Sequence, residues 1–219
     1  IGMDSDGTNQ FSNVVISSDT VIENVLGTLY DDVIIGNSVN NTFMYIGGND
    51  ILDGQEGRDT LYMWTKSTDH RIYKDLTTSN WNVEALNNSA GSIEMKNMER
   101  IFFADKAWAL DMGSDENAGR TAKILGALFG LEGLSYPSFR GIGLYFLDAG
   151  YSYEALMGAA VDTRLWVGAS KADVAKVLMG NIPGLVLDVN AYSSTTAMAI
   201  AAADSDLNKA MINLVGLAN

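Results

Sequence analysis

Residues 18–62 repeat every nine residues without a slip in register, and that fixed period carries two chemistries at once. Cut at the period, the segment reads SDTVIENVL, GTLYDDVII, GNSVNNTFM, YIGGNDILD and GQEGRDTLY. The sixth place holds Glu23, Asp32, Asn41, Asp50 and Asp59, each with a side-chain oxygen, and the eighth holds Val25, Ile34, Phe43, Leu52 and Leu61, all apolar. Glycine takes the first place at Gly27, Gly36 and Gly54 and the fourth at Gly48 and Gly57, where a tight bend needs positive φ or no Cβ. A turn followed by a three-residue strand explains both columns. Alternate side chains of a strand face opposite ways, so only the middle one of three points inward, and one apolar residue per nine suffices for a core.

A column of carboxylates brought close in a stack repels itself, and the repulsion is relieved by a cation or by protonation. Ca²⁺ accepts six to eight oxygens in flexible geometry, including the carbonyls that a glycine-rich turn exposes, whereas Mg²⁺ demands tighter octahedral order. The alternative is a metal-free series of Asn/Asp/Gly turns. Turn chemistry alone predicts enrichment in Asp and Gly, but not acceptors and apolar residues in two fixed columns, which favours the metal.

At these residues the blocks resemble the RTX nonapeptide, G-G-x-G-x-D-x-U-x, a calcium-binding parallel β-roll repeat of type I secreted bacterial proteins; YIGGNDILD and GQEGRDTLY match best. The resemblance implies that two nonapeptides make one coil, that like turns stack two blocks apart, and that each Ca²⁺ sits between stacked turns on aspartates and backbone carbonyls. The implied ligand pairs are Asp32 with Asp50 and Asn41 with Asp59, on turns shaped by Gly27, Gly48, Gly54 and Gly57. Asn41 puts a neutral amide where the family has a carboxylate, which weakens that site. Glu23 opposite Asn41 is weaker still and is not expected to hold an ion. Tyr30 and Val39 at the fourth place and Tyr45 at the first mark the roll as short and degenerate.

Charge and cysteine usage fit an extracellular or cell-surface setting. The formal net charge of -13 argues against nucleic acid and anionic membrane as partners and for bound cations. There is no cysteine. Secreted domains often use disulfides, so a secreted chain without them needs another staple, which calcium supplies; lack of cysteine fits the cytoplasm equally well. The opening IGMDSDGTNQ has neither the basic start nor the apolar segment of a secretory signal and begins with Ile, as expected of a piece of a longer protein or a processed form. The apolar run 197–203 falls far short of the roughly twenty residues of a membrane span. The resemblance implies instead an uncleaved C-terminal signal read by the type I secretion machinery.

The grammar changes after the repeats, and three regions are expected: a roll over 1–63, a β cap over 64–112 and a helical domain over 113–219. HRIYKDL, WNVEAL, SIEMKNM and RIFFADKAWALD are strand-like, broken by Thr, Ser, Asn and a turn over 87–91. A solenoid end exposes apolar surface and unpaired backbone, so a cap is required there. MERIFFADKAWALD resembles the V-E-R-I-x-F-x-D-G-x-x-A-L-D phrase that follows RTX arrays, with Lys106 where a glycine would follow Asp105. Beyond residue 113 the spacing predicts helices over 118–129, stopped by Gly130 and Gly133, and over 139–147, 153–161, 172–179, 191–203 and 207–217. Ser170 with Asp173 forms a capping-box variant, and Asp204 is the expected N-cap of the last helix. NAGRTAKILGALFG and LDAGYSYEALMGAAV resemble a helical tail domain of unknown function found behind RTX repeats. The fold class expected is therefore β plus α: a short calcium-binding parallel β-roll with a β cap, then an α-helical bundle.

Catalytic constellations are scarce. His70 is the only histidine, which excludes a paired-His zinc motif and reads as a surface or cap residue. No G-x-S-x-G elbow or P-loop occurs. Asp4 with Asp6 before Gly7, and Asp111 with Asp115, Glu116 and Asn117, are loop acidic clusters that offer ligands for Ca²⁺, but neither has EF-hand spacing, which favours solvated turns. Trp64, Trp81, Trp108 and Trp166 offer a carbohydrate platform, against the commoner role of aromatics in cap packing. The chain is accordingly expected to be no enzyme. The first expectation is a calcium-dependent folding and export module of a type I secreted protein. The alternative is a self-assembling subunit of an S-layer, sheath or extracellular filament. The tail of a secreted protease or lipase would give these residues the same calcium role. Partners expected are calcium ions, the secretion machinery and, on the structural reading, further copies of the chain.

Overall fold

The computed structural model describes residues 12–15, 22–87 and 91–216, with side chains described within 22–87 and 91–213. The chain mixes sheets and helices in two compact units, Ile1–Asp111 and Met112–Asn219.

In the first unit β1 (Ser12–Val15) precedes the repeats, and each of the five nine-residue blocks then yields one short strand: β2 (Asn24–Leu26), β3 (Asp32–Ile35), β4 (Thr42–Met44), β5 (Asn49–Asp53) and β6 (Thr60–Tyr62). Consecutive strands go to different sheets. β1, β3 and β5 pair in parallel in one, and β2, β4 and β6 in the other, so that Val33 lies opposite Ile51 and Phe43 opposite Leu61. The eighth-place residues Val25, Ile34, Phe43, Leu52 and Leu61 are all buried, forming one apolar core. β3 and β5 are longer than the expected three residues because the sixth place joins the strand, and period-two alternation turns Asp32 and Asp50 inward beside Ile34 and Leu52.

The segment expected as a β cap, 64–112, supplies five further strands. β7 (His70–Lys74) and β8 (Trp81–Ala85) form an antiparallel hairpin, whose tip is tied by the Asp75 carboxylate accepting the N–H groups of Thr77 and Thr78. β9 (Ser92–Lys96) then pairs in parallel with β5, and β10 (Arg100–Phe102) in parallel with β6, so the two stacks continue through residue 102. RIFFADKAWALD is two strands, β10 and the antiparallel β11 (Ala107–Ala109). The sheet orders are β1-β3-β5-β9-β8-β7 and β11-β10-β6-β4-β2. Ile93, Met95 and Ile101 supply the buried side chains that the next rung requires, so the ladder extends where the glycine pattern has ended.

The second unit holds α1 (Asn117–Ser135), α2 (Pro137–Asp148), α3 (Tyr153–Arg164), α4 (Lys171–Asn181), α5 (Thr195–Ala203) and α6 (Asp206–Gly216). Gly130, at φ 68, breaks the path of α1 as the sequence suggests, but the helix resumes and Gly133 does not end it. The break leaves carbonyls near it without their usual partners. Asn181 Nδ2 donates to the Ala127 carbonyl at 2.9 Å and Arg164 Nε to that of Leu128 at 3.0 Å. Ser170 and Asp173 form both halves of a capping box. α5 begins four residues later than the pattern predicts, because Ser194 caps it after a 3-10 turn over Val189–Ala191. Asp204 closes α5 instead of opening α6; its carboxylate pairs with Lys123, and Ser205 Oγ accepts the Asn208 N–H at the start of α6. Leu128, Met157, Val174, Leu178, Met198, Ala199, Ala202 and Ala203 are fully enclosed in the core of this unit. The small residues of α5 thus serve close packing. Among the described residues no helix is long and apolar enough to cross a membrane.

Candidate metal centre

The sixth-place side chains stack as the repeat requires. Asp32, Asn41, Asp50 and Asp59 are all at least 96% buried, whereas Glu23 is exposed and outside the buried column. In each stack the backbone of one rung donates to the side chain of the next. The Asp32 N–H donates to Asp50 Oδ1 at 3.0 Å and the Asn41 N–H to Asp59 Oδ1 at 2.6 Å, each partner 18 residues on. One place earlier the direction reverses: the N–H groups of Asn49 and Arg58 donate to Asp31 Oδ1 and Asn40 Oδ1 of the rung before. Two adjacent side-chain columns therefore clamp successive turns from both sides.

These bonds leave acceptor capacity unused in the interior. Asp32 Oδ2 accepts from the backbone and hydroxyl of Thr28, but Asp32 Oδ1 and Asp59 Oδ2 are buried without a hydrogen-bond partner. A buried ionised oxygen left in that condition is costly unless a cation or a proton meets it. Burial chiefly, with the carboxylates of Asp32 and Asp31, pushes Asp50 up to about 7 against the opposing Asp32 N–H bond. Asp59 is likewise pushed up to about 7, by burial first and then by Glu99 and Asp53, against the bond from Asn41. Both shifts express the cost of leaving these carboxyls ionised in the interior beside other carboxylates.

The glycines shape the space around these oxygens. Gly48 and Gly57 have φ of +96° and +117°, a region that a side chain rarely adopts. At Gly27 an added Cβ would lie 3.4 Å from the Met44 carbonyl, 3.5 Å from Asp32 Oδ2 and 3.9 Å from Asp50 Oδ2, so two carboxylates and a carbonyl border one small space. At Gly54 the Asn97 carbonyl and Asp59 Oδ2 stand 2.2 and 2.3 Å from the same position, which only glycine leaves open. Among the described residues no three His, Cys, Asp or Glu side chains converge. The donor set is therefore pairs of carboxylates supplemented by carbonyls, all hard oxygens, which fits Ca²⁺ and offers nothing to a soft metal.

Glu99 is the residue that the repeat reading misses. It lies just before β10, and its Oε2 accepts the Asp59 N–H at 2.6 Å, the same bond that Asp59 accepts from Asn41. Aligning on the inward apolar residue finds it: Glu-Arg-Ile over 99–101 stands opposite Asp-Thr-Leu over 59–61. Asn97, at φ 52, takes the place that glycine holds in earlier turns.

The other candidate residues are engaged elsewhere. Asp105 accepts from both the N–H and hydroxyl of Ser67, bonds that hold it below its ordinary value. Asp111 pairs with Arg100, Glu116 accepts the Gly113 N–H, and Asn117 donates to Asp148. Thr65 Oγ1 lies 2.6 Å from His70 Nε2, and burial lowers the histidine pKa. Trp81 and Trp108 pack on the core of the first unit, while Trp64 and Trp166 are exposed. Asp4 and Asp6 lie outside the described residues.

No family model matches the chain, and no curated protein matches it. Among solved structures, the extracellular lipase LipA of Serratia marcescens aligns at 14% identity and a TM-score of 0.22, over 41% of this chain. The chain spans 16% of that protein's length.

Proposed function

We propose that the first unit is a short parallel β-roll that binds Ca²⁺ between stacked turns, and that the chain is a calcium-dependent folding and export module of a type I secreted bacterial protein. The observation that carries this reading is the pair Asp32 and Asp50, both buried, one bonded to the other's backbone, and both bordering the space beside Gly27 with the Met44 carbonyl. Asp32 and Asp50 with that carbonyl would hold the first ion, and Asp59 a second; the ion neutralises the column and links successive rungs. A dissociation constant on the order of 10⁻⁴ to 10⁻³ M, the grade of extracellular modules, keeps the unit loose in the cytoplasm and folds it outside the cell. Folding is then tied to export through the secretion machinery. Such a module needs no catalytic group of its own. Calorimetric titration of the metal-stripped chain with Ca²⁺ tests the reading, with binding in that range expected and no heat of binding at millimolar Ca²⁺ fatal to it.

Self-assembly into a surface layer, sheath or filament is the second reading. It is favoured by α2, which leaves Phe139, Ile142 and Tyr145 exposed along a helix with only Gly143 and Leu147 buried. Sedimentation with millimolar Ca²⁺ separates the two: a monomer supports the export module, and ordered sheets or fibres support the structural subunit.

A further inference from the structure

We infer that the last rung carries a Ca²⁺ site of its own, formed by Asp59, Glu99 and the Asn97 carbonyl, which fastens the returning segment 92–102 onto the stack. The inference rests on the calcium reading of the first unit but names ligands that the nonapeptide pattern does not contain. Asp59 is fully buried, and its Oδ2 has no hydrogen-bond partner. That oxygen and the Asn97 carbonyl come together against the Cβ-less face of Gly54, where both would meet an added Cβ. Asn97 is held in place by its own side chain, whose Nδ2 donates to Asp53 Oδ1 at 2.8 Å. Glu99 then brings a second carboxylate to Asp59 through the 2.6 Å bond from the Asp59 N–H.

Charge decides where the ion belongs in this column. Asn41 with Asp59 offers one carboxylate, whereas Asp59 with Glu99 offers two, as Asp32 with Asp50 does. More carboxylates bind Ca²⁺ more tightly, so the better site lies on the far side of Asp59 from Asn41. The turn there is also of a different kind: six residues separate the inward Met95 and Ile101, where nine separate Leu52 and Leu61. The shorter turn carries Glu99, whose longer side chain spans the distance that an aspartate covers in the earlier rungs.

The consequence is topological. Asp59 and Glu99 are 40 residues apart, with the β7–β8 hairpin between them, whereas the Asp32 and Asp50 ligands are 18 apart. Joining more distant positions closes a longer loop, at a larger entropic cost that the ion offsets. Calcium at this site acts as the fastening between the roll and the segment 92–102 that returns after the hairpin.

The full-length chain tests this by calcium calorimetry together with hydrogen exchange of segment 92–102. Glu99→Gln keeps the shape and removes the charge. It is expected to lose one bound Ca²⁺, or to weaken one site by about tenfold or more, and to lose the Ca²⁺-dependent slowing of exchange in 92–102. Asp32→Asn, which damages only the first site, is expected to keep that slowing. If the parent binds Ca²⁺ while Glu99→Gln leaves stoichiometry, affinity and exchange unchanged, the last-rung site is overturned and the first site stands. A parent that binds no Ca²⁺ overturns both. Should Glu99→Gln fail to fold, Asp32→Asn decides alone: residual Ca²⁺ binding that protects 92–102 supports the site, and its absence overturns it.

Discussion

The Asp32 N–H donates to Oδ1 of Asp50 at 3.0 Å, so the residue that offers a carboxylate to one turn is bonded through its backbone to the carboxylate of the next. On the proposed reading the same residues are structural rungs and metal ligands, so removing one disturbs both roles. Asp50→Ala is expected to weaken calcium binding by about tenfold or more, and Asn41→Ala by clearly less, since only the first removes a charged ligand. Calorimetry on the two variants checks the order; equal losses would contradict it.

The raised carboxyls of Asp50 and Asp59, both near 7, set a pH dependence. A carboxyl whose native pKa exceeds its unfolded value of about 4 binds its proton more tightly in the folded state. Its stabilising contribution is complete below the unfolded value and is lost as pH rises through the folded one. In metal-stripped buffer the strand signal and melting temperature of the first unit should therefore be highest near pH 5, where protons stand in for the ion, and fall toward pH 8, where the ionised column leaves the unit loose. Ca²⁺ competes with those protons, so its stabilising effect should grow over the same window. A metal-free melting temperature that climbs from pH 5 to 8 would contradict the assignment.

Gly48 sits at φ +96, and a Cβ there would stand 2.3 Å from the Tyr30 carbonyl. Gly48→Ala should destabilise the first unit by about 1–3 kcal/mol from the backbone alone, with the clash adding to it. Gly47→Ala meets only ordinary contacts, the nearest being Leu29 Cδ2 at 3.4 Å, and should be far milder. Urea melts of the two variants in Ca²⁺ test the contrast.

What the sequence made legible follows from its period. Asp32, Asn41, Asp50 and Asp59, with the apolar residues two places on, fall where a nine-residue rule puts them because each turn copies the last. Glu99 and Asn97 escape that rule because the chain leaves through the β7–β8 hairpin and returns on a shorter turn. The ladder itself continues on Ile93 and Ile101, and buried pairing does not require the glycines that made the earlier rungs visible. In the second unit, Asp204 and Ser205 are both good caps, and only packing decides: Lys123 claims the carboxylate, leaving the hydroxyl to open α6.

Asn181 satisfies the Ala127 carbonyl beside the break in α1. Asn181→Ala should cost about 1–3 kcal/mol, the range for a buried acceptor left unpaired. If the helical unit carries no calcium role, the loss is the same with and without Ca²⁺. Denaturation of the variant under both conditions measures it, and a loss confined to one condition would show coupling to the metal.

The most direct measurement is circular dichroism and melting of the full chain, first with EDTA and then with millimolar Ca²⁺. The account predicts weak strand signal with EDTA and, on adding Ca²⁺, a gain in strand signal and a higher melting temperature for the first unit. Strand signal and melting temperature that do not respond to Ca²⁺ would contradict it.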